Sequence, residues 1–347
     1  MRPVLVCAVA MVIAACGGAP WGAGPSSQSR PTDRDSAAGA ARSPAASASQ
    51  SSAPPAPELR PPSPAPQLPP YAIEALRSRP RPVGPLTVGP VAATGAGYTK
   101  HPVSWSSQGA TMTGTLDLPT RAGRAAVVIV NHGYVPVSEY SVGLDSAKYA
   151  DPLAGEGFIT ISPDYPGYGG SGPGLQDVPS ITRAAISDID LISSLASLPQ
   201  ADTNRIAMAG HSNGGGVSLI VMAVDPRVRA YVLYESVSSD MADNARTFWS
   251  RSPHGTSPLG DPSTDPGYAL MSPRRYLPDH GPPVLILESA NDEQIPASWG
   301  QATLEALNAR GTKTSFVSFP GARHILRGAD LARANGLAVE WIRMALG

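Results

Sequence analysis

The chain has 347 residues and a formal net charge of −1, with acidic and basic residues interspersed. It carries no basic stripe, RNA-binding motif or zinc-finger spacing, which excludes a nucleic-acid partner. No run of about eighteen or more apolar residues occurs in the part that can fold, so nothing there is expected to span a membrane. The only two cysteines are Cys7 and Cys16, which leaves the folded part without disulfides or a thiol nucleophile.

The first residues read as a targeting segment. Arg2 supplies a positive start, Val4 to Ala15 is apolar, and the small pair Ala14-Ala15 ends the run before Cys16. The stretch is too short and wrongly flanked for a transmembrane helix. It resembles the lipobox of bacterial lipoproteins, which implies a signal peptide over residues 1–15 and lipidation of Cys16. That resemblance places the protein in the bacterial cell envelope, facing outside the cytoplasm and touching the membrane only through its N-terminal lipid. An ordinary secretory signal with an incidental cysteine is the competing reading.

Residues 16–90 are dominated by Pro, Ala, Ser and Gly. Such a composition cannot bury enough apolar surface to offset its ordering entropy, so this part reads as a disordered or polyproline tether. Tyr71 to Arg77 is compatible with one helical turn. Residues 91–347 suit a single large domain.

Within that domain apolar runs alternate with helical patterns. Tyr98 to Trp105 and Thr111 to Leu118 read as antiparallel strands about the polar turn Ser106 to Gly109. Ala125 to Val130 is wholly apolar, the pattern of a strand buried on both faces of a parallel sheet. A helix is expected over Ser146 to Gly155 with Asp145 as its cap, then a strand at Phe158 to Ser162. The spacing of Ile181, Ala185, Ile189, Ile192 and Leu195 predicts a helix to Leu198, capped by Ser180. Arg205 to Ala209 is a strand, Gly215 to Val224 a helix and Arg229 to Tyr234 a strand. From residue 236 to 282 the pattern breaks down into Ser, Pro, Asp and Gly, with one helix candidate at Met241 to Trp249; this stretch is expected to be a small lid insert. Val284 to Leu287, Ser298 to Ala309, Thr314 to Phe319 and Asp330 to Leu346 then read as strand, helix, strand, helix. Strands alternating with helices after an antiparallel start indicate an α/β domain with a mostly parallel sheet.

Gly210-His211-Ser212-Asn213-Gly214 sits between a predicted strand and a predicted helix, the context of a nucleophile elbow. The turn is so tight that the positions two before and two after the serine must be almost free of side chain. A serine hydroxyl needs a base, and the base an acid to orient it. Of six histidines, His324 lies in the loop after the last strand, at the sheet edge where strand ends converge. His211 is expected to pack beneath the elbow and His132 to brace the turn at Gly133; His101 lies on an early strand, and His254 and His280 fall in the irregular insert. Asp292 follows the strand 284–287 at the same edge and is the first choice of acid, with Glu235 second. The oxyanion donors are expected to be the backbone N–H groups of Asn213 and of Tyr134 in the Asn131-His132-Gly133-Tyr134 loop. No metal or organic cofactor is required.

Taken in order, His132-Gly133, the segment Asp164-Tyr165-Pro166-Gly167-Tyr168-Gly169-Gly170-Ser171, the elbow, Ser272-Pro273, Asp292 and His324 resemble the α/β-hydrolases. The likeness is nearest to the prolyl-oligopeptidase-type and dienelactone-hydrolase-type branches. It implies the α/β-hydrolase fold, with eight strands of which the second is antiparallel, and a 164–171 loop that shapes the site without performing chemistry. Two departures stand out: a tether where prolyl-oligopeptidase-type enzymes carry a propeller, and Glu288-Ser289 in place of the His-Gly pair common at that strand end. The function implied is a serine hydrolase acting on a small carboxylic ester, or on a short peptide with the same machinery; a non-catalytic envelope lipoprotein is the reading from another class. Phe248, Trp249 and Tyr268 are candidates for an apolar acyl pocket, or for the insert's own core.

Overall fold

Each central strand of the sheet alternates its apolar side chains between two separate cores. In β5 (Ala125–Asn131), Val127 and Ile129 face one cluster while Val128 and Val130 face the other. The same division holds for Met208 against Ala207 and Ala209, Leu233 against Val232, and Ile286 against Leu285. Period-two alternation with both faces apolar is what a sheet covered on both sides requires. These contacts belong to a computed structural model that describes residues 67–81, 84–248 and 259–347. Residues 1–15, Cys16, Trp249 and His254 lie outside the described residues, as does most of the expected tether.

The described strands run β1 (Thr87–Val88), β2 (Ala93–Gly95), β3 (Tyr98–Ser107), β4 (Ala110–Pro119), β5, β6 (Ile159–Pro163), β7 (Ala201–His211), β8 (Val228–Tyr234), β9 (Val284–Ser289) and β10 (Thr314–Phe319). They form one sheet in the order β1-β3-β4-β6-β5-β7-β8-β9-β10, with β2 paired to β3. From β3 onward this is the expected eight-stranded sheet, its second strand β4 antiparallel to both neighbours and the rest parallel. The eight-strand expectation is exceeded by β1 and β2, which add antiparallel pairing along β3. Two- and three-residue strands leave no period for a sequence pattern to show.

Helices α2 (Ala147–Gly155) and α8 (Gly328–Leu346) supply Tyr149, Leu153, Ala334 and Ala338 to one core. Helices α3 (Ser180–Ser194), α4 (Asn213–Val224) and α7 (Ala297–Ala309) contribute to the other. So does α1 (Ile73–Ser78), whose Ile73 and Leu76 are buried in that same core. The reading of residues 16–90 as a tether therefore extends too far at its C-terminal end. Two buried apolar side chains and Arg77, whose Nε donates to the Ala223 carbonyl, outweigh a composition that averages to disorder.

Two caps differ from expectation. Ser180 is the first residue of α3, which Pro179 precedes with no side-chain cap. Ser146, not Asp145, precedes α2, and Asp145 has another use. The described part of the insert holds α6 (Gly267–Met271) besides α5 (Met241–Thr247). Tyr268 is buried in the main core, and Phe248 packs edge-on against Trp299 at 5.9 Å. Of the suggested pocket residues, Tyr268 is therefore core and Phe248 is half-buried against it. No helix among the described residues is long and apolar enough to cross a membrane.

Candidate active site

Strand β7 ends at His211 and α4 starts at Asn213, so Ser212 alone makes the turn, with φ of +53°. A non-glycine residue at positive φ is strained and persists only where its surroundings enforce it. Here Ser212 N–H donates to the Tyr234 carbonyl at 2.9 Å, and the Ser212 carbonyl accepts from Val237 N–H at 3.1 Å. The flanking glycines are demanded by space. A Cβ at Gly210 would meet the Gly214 carbonyl oxygen at 2.2 Å, and one at Gly214 the Asn131 carbonyl oxygen at 2.3 Å.

His324, on the loop between β10 and α8, is buried beside the serine. Its Nε2 lies 3.0 Å from Ser212 Oγ and its Nδ1 2.8 Å from Asp292 Oδ2. With the carboxylate at Nδ1, that nitrogen carries the proton and Nε2 is free to accept from the hydroxyl. Asp292 is held in turn: its Oδ1 accepts from the N–H groups of Gln294 and Ile295, both at 2.8 Å. Ser212, Asp292 and His324, chosen from three distant segments, are thus brought into one hydrogen-bonded line.

Two further carboxyls occupy the same sheet edge. Burial first, and then the neighbouring Glu288, push Glu235 up to about 9, although its hydrogen bond from Ser289 Oγ at 2.8 Å acts the other way. Burial, followed by the nearby Asp292, pushes Glu288 up to about 8. Burial thus favours the neutral form of both, and a neutral carboxyl cannot stabilise an imidazolium. Glu235 bonds Ser289 instead of the histidine.

Asn213 opens α4, so its N–H has no intrahelical acceptor and points from the positive end of the helix. In the opposing loop, Gly133 N–H is committed to Asp145 Oδ2 at 2.6 Å, which leaves Tyr134 N–H as the next donor along. Aromatic residues of the 164–171 segment brace this loop. Tyr165 Oη donates to the His132 carbonyl at 2.9 Å and Tyr168 Oη to the Val135 carbonyl at 2.8 Å. The His132 ring stacks on Tyr165 at 3.9 Å, and burial holds its imidazole below the ordinary histidine range. The expected bracing role of His132 fits this environment.

His101 pairs with Thr99 and the Gly89 carbonyl. His211 does more than pack: it joins Asp145 to the backbone of His324. The sequence offered no signal for that link beyond a histidine next to the serine and an aspartate ahead of a serine that could itself precede the helix. Among the described residues, no cluster of His, Cys, Asp and Glu could hold a metal ion.

Comparison with known proteins gives the same architecture. The sequence signature of the prolyl oligopeptidase family matches residues 146–346. An uncharacterized protein of Pseudomonas aeruginosa is 34% identical over 129 residues, covering 36% of this chain and 33% of that protein. The match therefore spans about a third of that relative's length. A protein of Salmonella typhi provisionally named carboxymethylenebutenolidase is 26% identical over 245 residues, covering 68% of this chain and 79% of its own. The crystal structure of acetyl xylan esterase 1 from Thermoanaerobacterium aligns with a TM-score of 0.56 at 18% identity, covering 80% of this chain and 93% of the esterase. Likeness at that identity shows the α/β-hydrolase fold.

Proposed function

The chain belongs to the prolyl oligopeptidase family, and we propose that it is a serine hydrolase that cleaves carboxylic esters through an acyl-enzyme. The observation that carries this reading is the serine hydroxyl 3.0 Å from an imidazole whose far nitrogen is 2.8 Å from a carboxylate. His324 takes the hydroxyl proton as Ser212 Oγ bonds to the acyl carbon, and Asp292 holds the resulting imidazolium. The Asn213 and Tyr134 amides receive the negative charge of the tetrahedral oxygen. Collapse expels the alcohol, protonated by His324; water then repeats the sequence and frees the acid.

Ester cleavage is the least demanding use of this machinery, because an alkoxide leaves more readily than an amide anion, so the nitrogen of a peptide must be protonated before it can depart. The Salmonella relative, which the chain matches over most of its length, is named for a butenolide, a cyclic ester. The family match itself favours a second reading, hydrolysis of short peptides, in which His324 must fully protonate a departing amine. Turnover of p-nitrophenyl esters of graded length beside aminoacyl anilides separates the two: faster anilide cleavage reassigns the substrate. A fluorophosphonate probe should label the wild type and not Ser212→Ala. Label that survives the substitution, or none on the wild type, defeats the enzyme reading and leaves a non-catalytic envelope protein. The lipobox-like N-terminus supports an envelope location through lipid on Cys16.

A further inference from the structure

Asp145 stands just ahead of α2 with φ of +72°, a left-handed conformation that a non-glycine residue keeps only under constraint. Its carboxylate is largely buried and fully engaged. Oδ2 accepts from Gly133 N–H at 2.6 Å and from His211 Nδ1 at 2.8 Å, while Oδ1 accepts from Lys148 Nζ at 2.7 Å. Burial alone would raise this carboxyl, but the His211 and Lys148 charges hold it well below the usual range. One carboxylate thus ties the loop after β5 to the residue that precedes Ser212.

The chain of bonds continues. His211 Nε2 lies 3.2 Å from the His324 carbonyl oxygen, and the two rings are 5.0 Å apart. Both partners of the His211 ring are acceptors, so the bridge forms only when each ring nitrogen donates a proton. The space is shaped for this contact. A Cβ on Gly133 would sit 2.9 Å from His211 Nδ1 and 3.0 Å from Asp145 Oδ2. The glycine of the His132-Gly133 pair is therefore needed for the bridge.

We propose that Asp145 and His211 form a clamp, an imidazolium–carboxylate pair that fixes the spacing between the oxyanion loop and the His324 loop. The clamp rests on the assignment of Ser212 and His324 given above. Both members are positioning residues, since neither touches the reacting atoms. Three parts of the site converge on them: the backbone of 133, the position before the nucleophile and the backbone of the base. Because the oxyanion forms only in the transition state, a misplaced donor lowers kcat more than it alters KM.

Asp145→Asn keeps an acceptor for Gly133 but removes the charge that favours a second proton on His211. A singly protonated ring can donate to one partner only, so the link to His324 opens. The expected result on the full chain is a fall in kcat of about 10- to 100-fold per fluorophosphonate-titrated site, with KM within about threefold of wild type. Lys148→Met, which removes only the outer ion pair, should leave kcat nearly intact. In 15N-histidine spectra of the wild type, both His211 ring nitrogens should carry protons, and Asp145→Asn should lose one of them. Wild-type kcat in Asp145→Asn at a lowered Tm, or a single ring proton on His211 in the wild type, overturns the clamp. Failure of the underlying reading has a different signature, absence of label on Ser212, and the ring spectrum reports on the clamp independently of it.

Discussion

Three carboxyl groups crowd the ends of β8 and β9, and their surroundings decide which can serve an imidazole. Both Asp292 and Glu235 fall between the serine and the histidine of the last loop; the sequence favours Asp292 because it follows the strand 284–287 at the sheet edge where that loop lies. Both side chains are buried, and their partners, which the sequence does not display, supply the physical reason: Asp292 also accepts from two backbone N–H groups. Glu235 is pushed up to about 9 and held by Ser289, whereas Asp292 faces His324 at 2.8 Å. Asp292→Asn should therefore lower kcat by about 10⁴-fold, because the amide favours the wrong imidazole tautomer. Glu235→Gln replaces one neutral group by another of the same shape and should change kcat per labelled site by less than about threefold. Steady-state kinetics at neutral pH decide it; the opposite ranking would move the acid to β8. The elbow was legible for a related reason: glycines at 210 and 214 leave a mark in the sequence because backbone occupies the space a side chain would need. Asp145 left no such mark, since an aspartate ahead of a helix looks the same whether it caps that helix or reaches across to β7.

At the scale of elements, long strands and helices were legible and short ones were not. β5 lies where its apolar run puts it, and α3 follows its apolar period, although the helix expected to reach Leu198 ends at Ser194 and passes into a 3-10 turn over Leu195–Ser197. α1 spans six residues amid prolines, and its stability comes from what it meets, which a local reading cannot see. Ile73 and Leu76 enter the core near α4, and Arg77 Nε donates to the Ala223 carbonyl at 2.7 Å. Just beyond the helix, Arg79 makes a two-pronged pair with the buried Asp190, at 2.7 and 2.9 Å. Removing that guanidinium strands a buried carboxylate, so Arg79→Ala should cost about 3 kcal/mol in urea unfolding. Arg81 offers a control, because it lies 3.6 Å from Asp225, which Arg227 already holds at 2.6 Å. Arg81→Ala should cost less than about 1 kcal/mol. Equal losses would mean that the Arg79–Asp190 pair is worth no more than the Arg81 contact.

For the molecule as a whole, the proposed lipid on Cys16 predicts location without affecting chemistry. Cys16→Ser should move the protein from the membrane to the soluble fraction while ester turnover per labelled site stays constant; unchanged partition refutes the lipidation. A second whole-molecule property, acid–base stability, follows from the buried carboxyls. In the folded protein burial pushes Glu235 up to about 9, and Glu288 and Asp188 up to about 8, against ordinary values near 4 in the unfolded chain. Between those limits the folded state binds more protons than the unfolded state, so stability decreases as pH rises. Their contribution is complete below about pH 4 and is lost as pH climbs through about 8 to 9. Asp145 acts with the opposite sign, because its carboxyl is held low and its contribution disappears only in strong acid. Thermal unfolding should therefore show Tm falling from mildly acidic to mildly alkaline buffer. Glu288 is the variant of choice, since both of its oxygens are buried without a hydrogen-bond partner among the described residues. Glu288→Gln cannot ionise and should flatten the curve between about pH 4 and 8, rising above the wild type as pH increases. Parallel curves for the two proteins would show that Glu288 is ionised throughout and that water or a rearranged neighbour compensates its charge.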